Sequence, residues 1–227
     1  MRLFTRRVGC RVLLIVAGVI VIALALTWLY SERIVDRSIL TDSPCAAPCW
    51  QGIVPGTSME EEEIIRILET LPYVDMGSVR RDSLPKGRAI SWGWNHWPWR
   101  RTGYNWVFLI GGVVHDISLS VDFDLTVEEI LDKYGLPEAT NAVQAGVPEY
   151  PYVAMNLLYP TQGLWFTAKV LPWHQPVLEP TTRIFEVMYT TPAGSLESWL
   201  GPDIHTMHLQ PWPGYGELEE VFDPHSP

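Results

Sequence analysis

The sequence predicts an α+β protein: an N-terminal transmembrane helix followed by two tandem units, each a capped helix packed on an antiparallel sheet. Three observations predict it. An uncharged apolar run extends from Val12 to Tyr30. Two capped amphipathic helix signatures begin at Thr57 and Thr126, about 70 residues apart. Each signature is followed by β-prone segments joined by short turns.

Taking the chain in order, the first region is 1–30. It holds Arg2, Arg6, Arg7 and Arg11 and no acid, although the whole 227-residue chain carries a formal charge of −10. A helix over 12–30 would reach roughly 28 Å, close to the thickness of a bilayer core. Trp28 and Tyr30 stand at its outer end, where such rings favour the headgroup level. The four arginines place the N-terminus in the cytoplasm and the rest outside, as a single-pass signal-anchor in the cell membrane with an extracytoplasmic C-terminal domain. The competing reading is a signal peptide cleaved after Ala25, in Ala23-Leu24-Ala25. Cys10 precedes the apolar run, so it is not placed as a lipidation site.

Residues 31–44 read as a stalk. Pro44-Cys45-Ala46-Ala47-Pro48-Cys49-Trp50 opens the folded part, and outside the cytoplasm Cys45 and Cys49 are expected to form a disulfide closing a short loop. A redox-active pair would need an attacking thiol of lowered pKa at a helix start, and a metal site would need more ligands than two.

The first unit is assigned to 45–121. Thr57 and Glu60 have capping-box spacing, and Ile64, Ile67, Leu68 and Leu71 form one apolar stripe that Pro72 ends. Glu60–Glu63 is read as a first turn favoured by the helix dipole, since consecutive carboxylates diverge around a helix and do not converge on an ion. Strands are expected at 88–94 and 104–110, the latter joined through Gly111-Gly112 to a strand at 113–121. The second unit is assigned to 122–190. Thr126 and Glu129 form a second capping box, Gly135 and Pro137 stop the helix, and strands are expected at 152–159, 164–170 and 183–189. Residues 191–227 are read as a short helix over 193–200 and an irregular C-terminal strap.

The stretch from Asp124 to Pro137 resembles the helix of the BamE/SmpA/OmlA group of small envelope proteins: a Thr cap at Thr126, then Ile130, Gly135 and Pro137 at that group's offsets. Leu158-Tyr159, a turn and Gly163-Leu164 are similar to its hairpin, and Pro55-Gly56-Thr57 to its motif start. A tandem of two such units is similar to the β-lactamase inhibitory protein-like architecture. The resemblance implies a non-enzymatic envelope protein that binds or scaffolds other proteins; it assigns no partner-contacting residue here.

Chemistry is sparse. Gly-x-Ser-x-Gly, His-Glu-x-x-His, phosphate-loop and dinucleotide patterns do not occur. The six histidines are scattered, and Asp203–His208 is not placed on a helix that would converge its ligand-type side chains. No catalytic residue, metal site or cofactor is assigned. The acidic charge argues against nucleic acid as a partner. The candidate binding residues are Trp92, Trp94, Trp97, Trp99, Arg100 and Arg101, in a segment holding four Trp in eight positions. These could form a sugar-stacking platform, a protein hot spot or a lipid-headgroup rim, or the rings could fill the space between helix and sheet. The expectation is therefore a membrane-anchored, extracytoplasmic, non-enzymatic protein that interacts with or scaffolds a protein partner at the cell envelope. The alternative is a carbohydrate or cell-wall binding module using Trp92–Trp99, with an unrecognised hydrolase as a third class. Oligomeric state is left open.

Overall fold

The computed structural model describes residues 16, 18–26, 37–95, 105–120, 125–147, 149–201, 207–219 and 221–222. The chain divides into two units, one comprising 1–35 with 96–100 and the other 36–95 with 101–227. In the first unit Val16 and Gly18–Leu26 are helical. At about 1.5 Å per residue that stretch reaches roughly 14 Å, half a bilayer core of about 30 Å. Among the described residues no helix is long and apolar enough to cross a membrane. The transmembrane span at 12–30 is therefore corrected, and with it the single-pass location and extracytoplasmic placement that rested on it; positions 12–15, 17 and 27–30 lie outside the described residues.

The second unit is built on one antiparallel sheet. Its strands are β1 (Val74–Leu84), β2 (Gly87–Trp94), β3 (Asn105–Ile110), β4 (Val113–Ser120), β5 (Ala139–Val147), β6 (Tyr150–Tyr159), β7 (Leu164–Val170) and β9 (Ile184–Thr190), with a short β8 (Val177–Leu178) elsewhere. The sheet order is β1-β2-β3-β4-β9-β7-β6-β5. This corrects the second expectation. The two halves are not separate helix-on-sheet units, because β4 pairs with β9 from Asp116↔Thr190 to Ser120↔Glu186 and fuses them into one eight-stranded sheet. The helices are few and short: α1 (Ser38–Thr41), α2 (Glu61–Glu69), α3 (Val127–Tyr134) and α4 (Leu196–Leu200). A mostly β fold of this kind does not support the BamE/SmpA/OmlA resemblance, whose matched positions are largely general capping signals.

Local sequence explains most elements. At Gly111-Gly112, φ values of 61° and 82° give the two left-handed positions that a two-residue hairpin turn requires. In α3, Thr126 accepts from Glu129 N while Glu129 Oε2 accepts from Thr126 N, completing the capping box. The box expected at Thr57 does not form. The Thr57 hydroxyl donates to Val54 O, its carbonyl accepts from Val114 N, and α2 begins after Glu60 with no side-chain cap. The short bridge to β4 claims the residue that would otherwise have capped the helix. Strand β1 lies where the sequence is rich in charge; its regular pairing is interrupted between Asp75 and Arg80, where an Asp75 turn bulges out.

Strand register separates the two sheet faces. Ile90, Val107, Ile117, Tyr189, Leu164 and Tyr159 are cross-strand neighbours along one row. They lie on the helix-bearing side, where Tyr134 of α3 meets the Tyr159 and Phe166 rings. The Tyr159 hydroxyl donates to Gly135 O and the Tyr134 hydroxyl to Ile39 O, tying α1 onto α3. Arg37–Glu129 and Lys133–Asp42 reinforce that contact, so part of the expected stalk is packed chain. The outer edge of β5 is covered by a downstream segment: Thr140 pairs with Gln210, and Phe222 bonds Ala142 and Gln144.

Candidate functional site

The described tryptophans of the Trp-rich segment lie in the interior. Trp92 and Trp94 lie on β2 two residues apart and are each 2% exposed. Trp50, fully buried, stacks on Trp92 at 5.4 Å and meets Trp94 edge-on at 6.4 Å, and Tyr73 closes against Trp94 at 5.6 Å. The Trp94 indole N–H donates to Ser120 O, whereas the buried Trp92 Nε1 has no hydrogen-bond partner among the described residues. Trp97, Trp99, Arg100 and Arg101 lie outside the described residues. Nearby, Cys45 and Cys49 form the disulfide, with Cα atoms 5.7 Å apart, just ahead of Trp50. The cluster thus joins the disulfide loop to β2 through ring contacts. Arg81 of β1 and Arg88 of β2 pair with Glu62 and Glu61 on α2. A hydrogen bond from its own backbone amide and then the Arg81 guanidinium hold the Glu62 carboxyl below its ordinary range.

A different surface has the shape of a site. On the sheet face away from α2 and α3, strands β5, β6, β7 and β9 enclose a groove of about 490 Å³. Its hollow follows from side-chain size. Ala145, Ala154 and Thr167 leave the middle low, while Tyr152, Trp165 and Phe185 stand around it. A line of hydrogen bonds crosses the floor: Trp165 Nε1 donates to Asn156 Oδ1 at 2.9 Å, and Asn156 Nδ2 donates to Asn141 Oδ1 at 2.8 Å. Both asparagines are buried at the floor, at 8% and 4% exposure, so their amide planes are held in place. Among the described residues Glu186 contributes the one carboxylate of the lining, and its Oε1 accepts from Ser118 Oγ at 2.7 Å. Burial and then the Glu186 charge raise the Tyr152 hydroxyl above its ordinary value. Tyr152 meets Phe185 edge-on at 5.7 Å, and Lys169 Nζ stands 4.8 Å from the Tyr152 ring centre.

Sequence reasoning did not single out this groove. The available signal was the alternation of Tyr152, Ala154 and Asn156 with apolar residues along β6, and of Trp165, Thr167 and Lys169 along β7. A polar residue midway along an otherwise apolar strand marks the face turned away from the core.

The remaining candidates are dispersed. His115 Nδ1 lies 2.8 Å from Asp116, His174 touches Trp173, and His208 stacks on Phe222 at 4.0 Å. His96, Asp203, His205 and His225 lie outside the described residues. Among the described residues no group of three or more His, Cys, Asp or Glu side chains could hold a metal ion. No family model matches the chain, and neither a curated protein nor a solved structure matches it.

Proposed function

We propose that this chain is a non-enzymatic recognition protein that binds a partner protein through the groove between β5 and β9. The observation supporting this reading is the groove itself: a volume within the range of binding sites, aromatic walls and a floor of fixed amides. Its polar groups among the described residues are two carboxamides, the Tyr152 and Thr167 hydroxyls, the Trp165 indole N–H and the Glu186 carboxylate, a set suited to orienting a bound group. The two-carboxylate arrangement that cleaves glycosidic bonds would require a second carboxylate beside Glu186. The carbohydrate alternative shifts from Trp92–Trp99 to the groove. With Trp92 and Trp94 buried, Trp165 beside two carboxamides is the better sugar-facing arrangement among the described residues.

The test is selection of displayed random dodecapeptides on the full-length chain, with the binding place read by NMR. Selected peptides are expected to shift the Trp165 indole and Asn156 carboxamide resonances, and Ala145→Trp, which fills the groove, is expected to abolish binding while the thermal midpoint is retained. Peptides that bind the Ala145→Trp variant unchanged would overturn the reading. Shifts at the same resonances from maltotriose or chitotriose, with no peptide entering, would replace it with the carbohydrate one.

A further inference from the structure

We infer that the group this groove receives is the guanidinium of an arginine presented by the partner; the inference rests on the reading above and names the chemistry of its occupant. Among the described residues Glu186 is the one carboxylate in the lining and makes no ion pair, its hydrogen bond coming from the neutral Ser118 hydroxyl. A carboxylate has about four acceptor positions, so Ser118 leaves most of them for an incoming donor. The surrounding groups select among cations. Trp165, Tyr152 and Phe185 offer ring surfaces, and the Asn141 and Asn156 carbonyls each have acceptor capacity beyond the one bond already made. A planar, weakly hydrated guanidinium can stack on a ring while forking onto a carboxylate, whereas an ammonium is compact and holds its water more strongly.

Two further observations agree. The chain's formal charge of −10 favours encounter with basic partners. Lys169 already stands over the Tyr152 ring, so a cation beside these aromatics is an arrangement the fold itself uses. Lys169 also acts against an incoming arginine, being a like charge at the same ring. It therefore supplies a variant with the opposite sign to Glu186.

The experiment titrates the full-length protein with N-acetyl-Gly-Arg-Gly-amide and with its citrulline counterpart, which keeps the shape and loses the charge. The Trp165 indole resonance, assigned through Trp165→Phe, reports binding. The arginine peptide is expected to bind at least about 5-fold more tightly than the citrulline peptide, reflecting one desolvated cation–carboxylate and ring contact. Glu186→Gln should bring the two affinities together, and Lys169→Met should tighten arginine binding about 2-fold or more. Equal affinity for the two peptides, or an arginine preference that survives Glu186→Gln, would overturn the inference. If the selected dodecapeptides reach Trp165 but show no arginine preference, this inference fails and the protein-recognition reading stands. If no peptide of either kind reaches it, both fail.

Discussion

The two halves of the sheet share one construction and differ in what they place on either face. Each lays a short helix on the same side: α2 beside β1–β4 and α3 beside β5–β9. In the first half the interior is filled by indoles, Trp50, Trp92 and Trp94, and the helix starts without a side-chain cap. In the second the interior rings are Tyr134, Tyr159 and Phe166, and the helix starts with a complete capping box. On the opposite face of the second half an indole, Trp165, stands on the groove wall. The difference teaches that an aromatic-rich segment does not announce its own role. The same side chain type fills the core in one half and walls the open groove in the other, and strand register decides which.

The largest effect that would test this contrast is on stability. Trp92→Ala is expected to cost about 3–5 kcal/mol, because a fully enclosed ring leaves a cavity, whereas Trp165→Ala, at a half-exposed position, should cost about 1–2 kcal/mol. Urea midpoints of the two variants measure the difference, and similar losses would break the assignment of one ring to core and the other to site.

The tyrosines of the second half give a second contrast. Burial, before any neighbouring charge, raises the hydroxyls of Tyr134 and Tyr159 above their ordinary value. The unfolded chain releases these protons near pH 10 while the folded chain keeps them, so the stabilisation is complete below that pH and is lost as pH rises through and above it. Tyr134→Phe should therefore make stability fall less steeply between pH 9 and 11. An unchanged slope would show that alkaline loss originates elsewhere.

The smallest effect compares the helix starts. Thr126→Ala should cost about 1 kcal/mol through loss of its cap, and Thr57→Ala about half that or less, since its hydroxyl bonds the preceding turn. Equal costs, measured by chemical unfolding, would remove the distinction between α3 and α2.

Local order was the most legible part of the fold. The turn at Gly111-Gly112, the cap at Thr126 and the strand at Leu164–Val170 depend on a few adjacent residues, and the structure places them where the pattern did. The Cys45–Cys49 disulfide is also where it was expected, although that expectation rested on the extracytoplasmic placement corrected above. What escaped the sequence depends on distant partners. The Thr57 cap was lost to Val114 some sixty positions away, and the pairing of β4 with β9 merged two apparent units. Strand β1, with Arg80, Arg81 and Asp82, carries no apolar alternation because one of its sides is a sheet edge. The apolar run at 12–30 read as a membrane span by composition alone, and the helix described within it is too short to be one. The groove was illegible for the same reason as the sheet order: beside the legible β6–β7 hairpin it needs β5, which was not assigned, and the pairing of β7 with β9, which no local pattern records.

The downstream segment that seals β5 has a consequence for biosynthesis. Thr140 waits for Gln210, 70 positions later, before its outward bonds are satisfied. A ribosome adding about 5–20 residues per second needs roughly 4–14 s to supply them. Strands β6, β7 and β9 are made within that interval, and over its last 20 positions, after Thr190, all eight strands are present while the outer border of β5 is still bare, the moment at which a second nascent copy or a chaperone has its best opportunity to meet it.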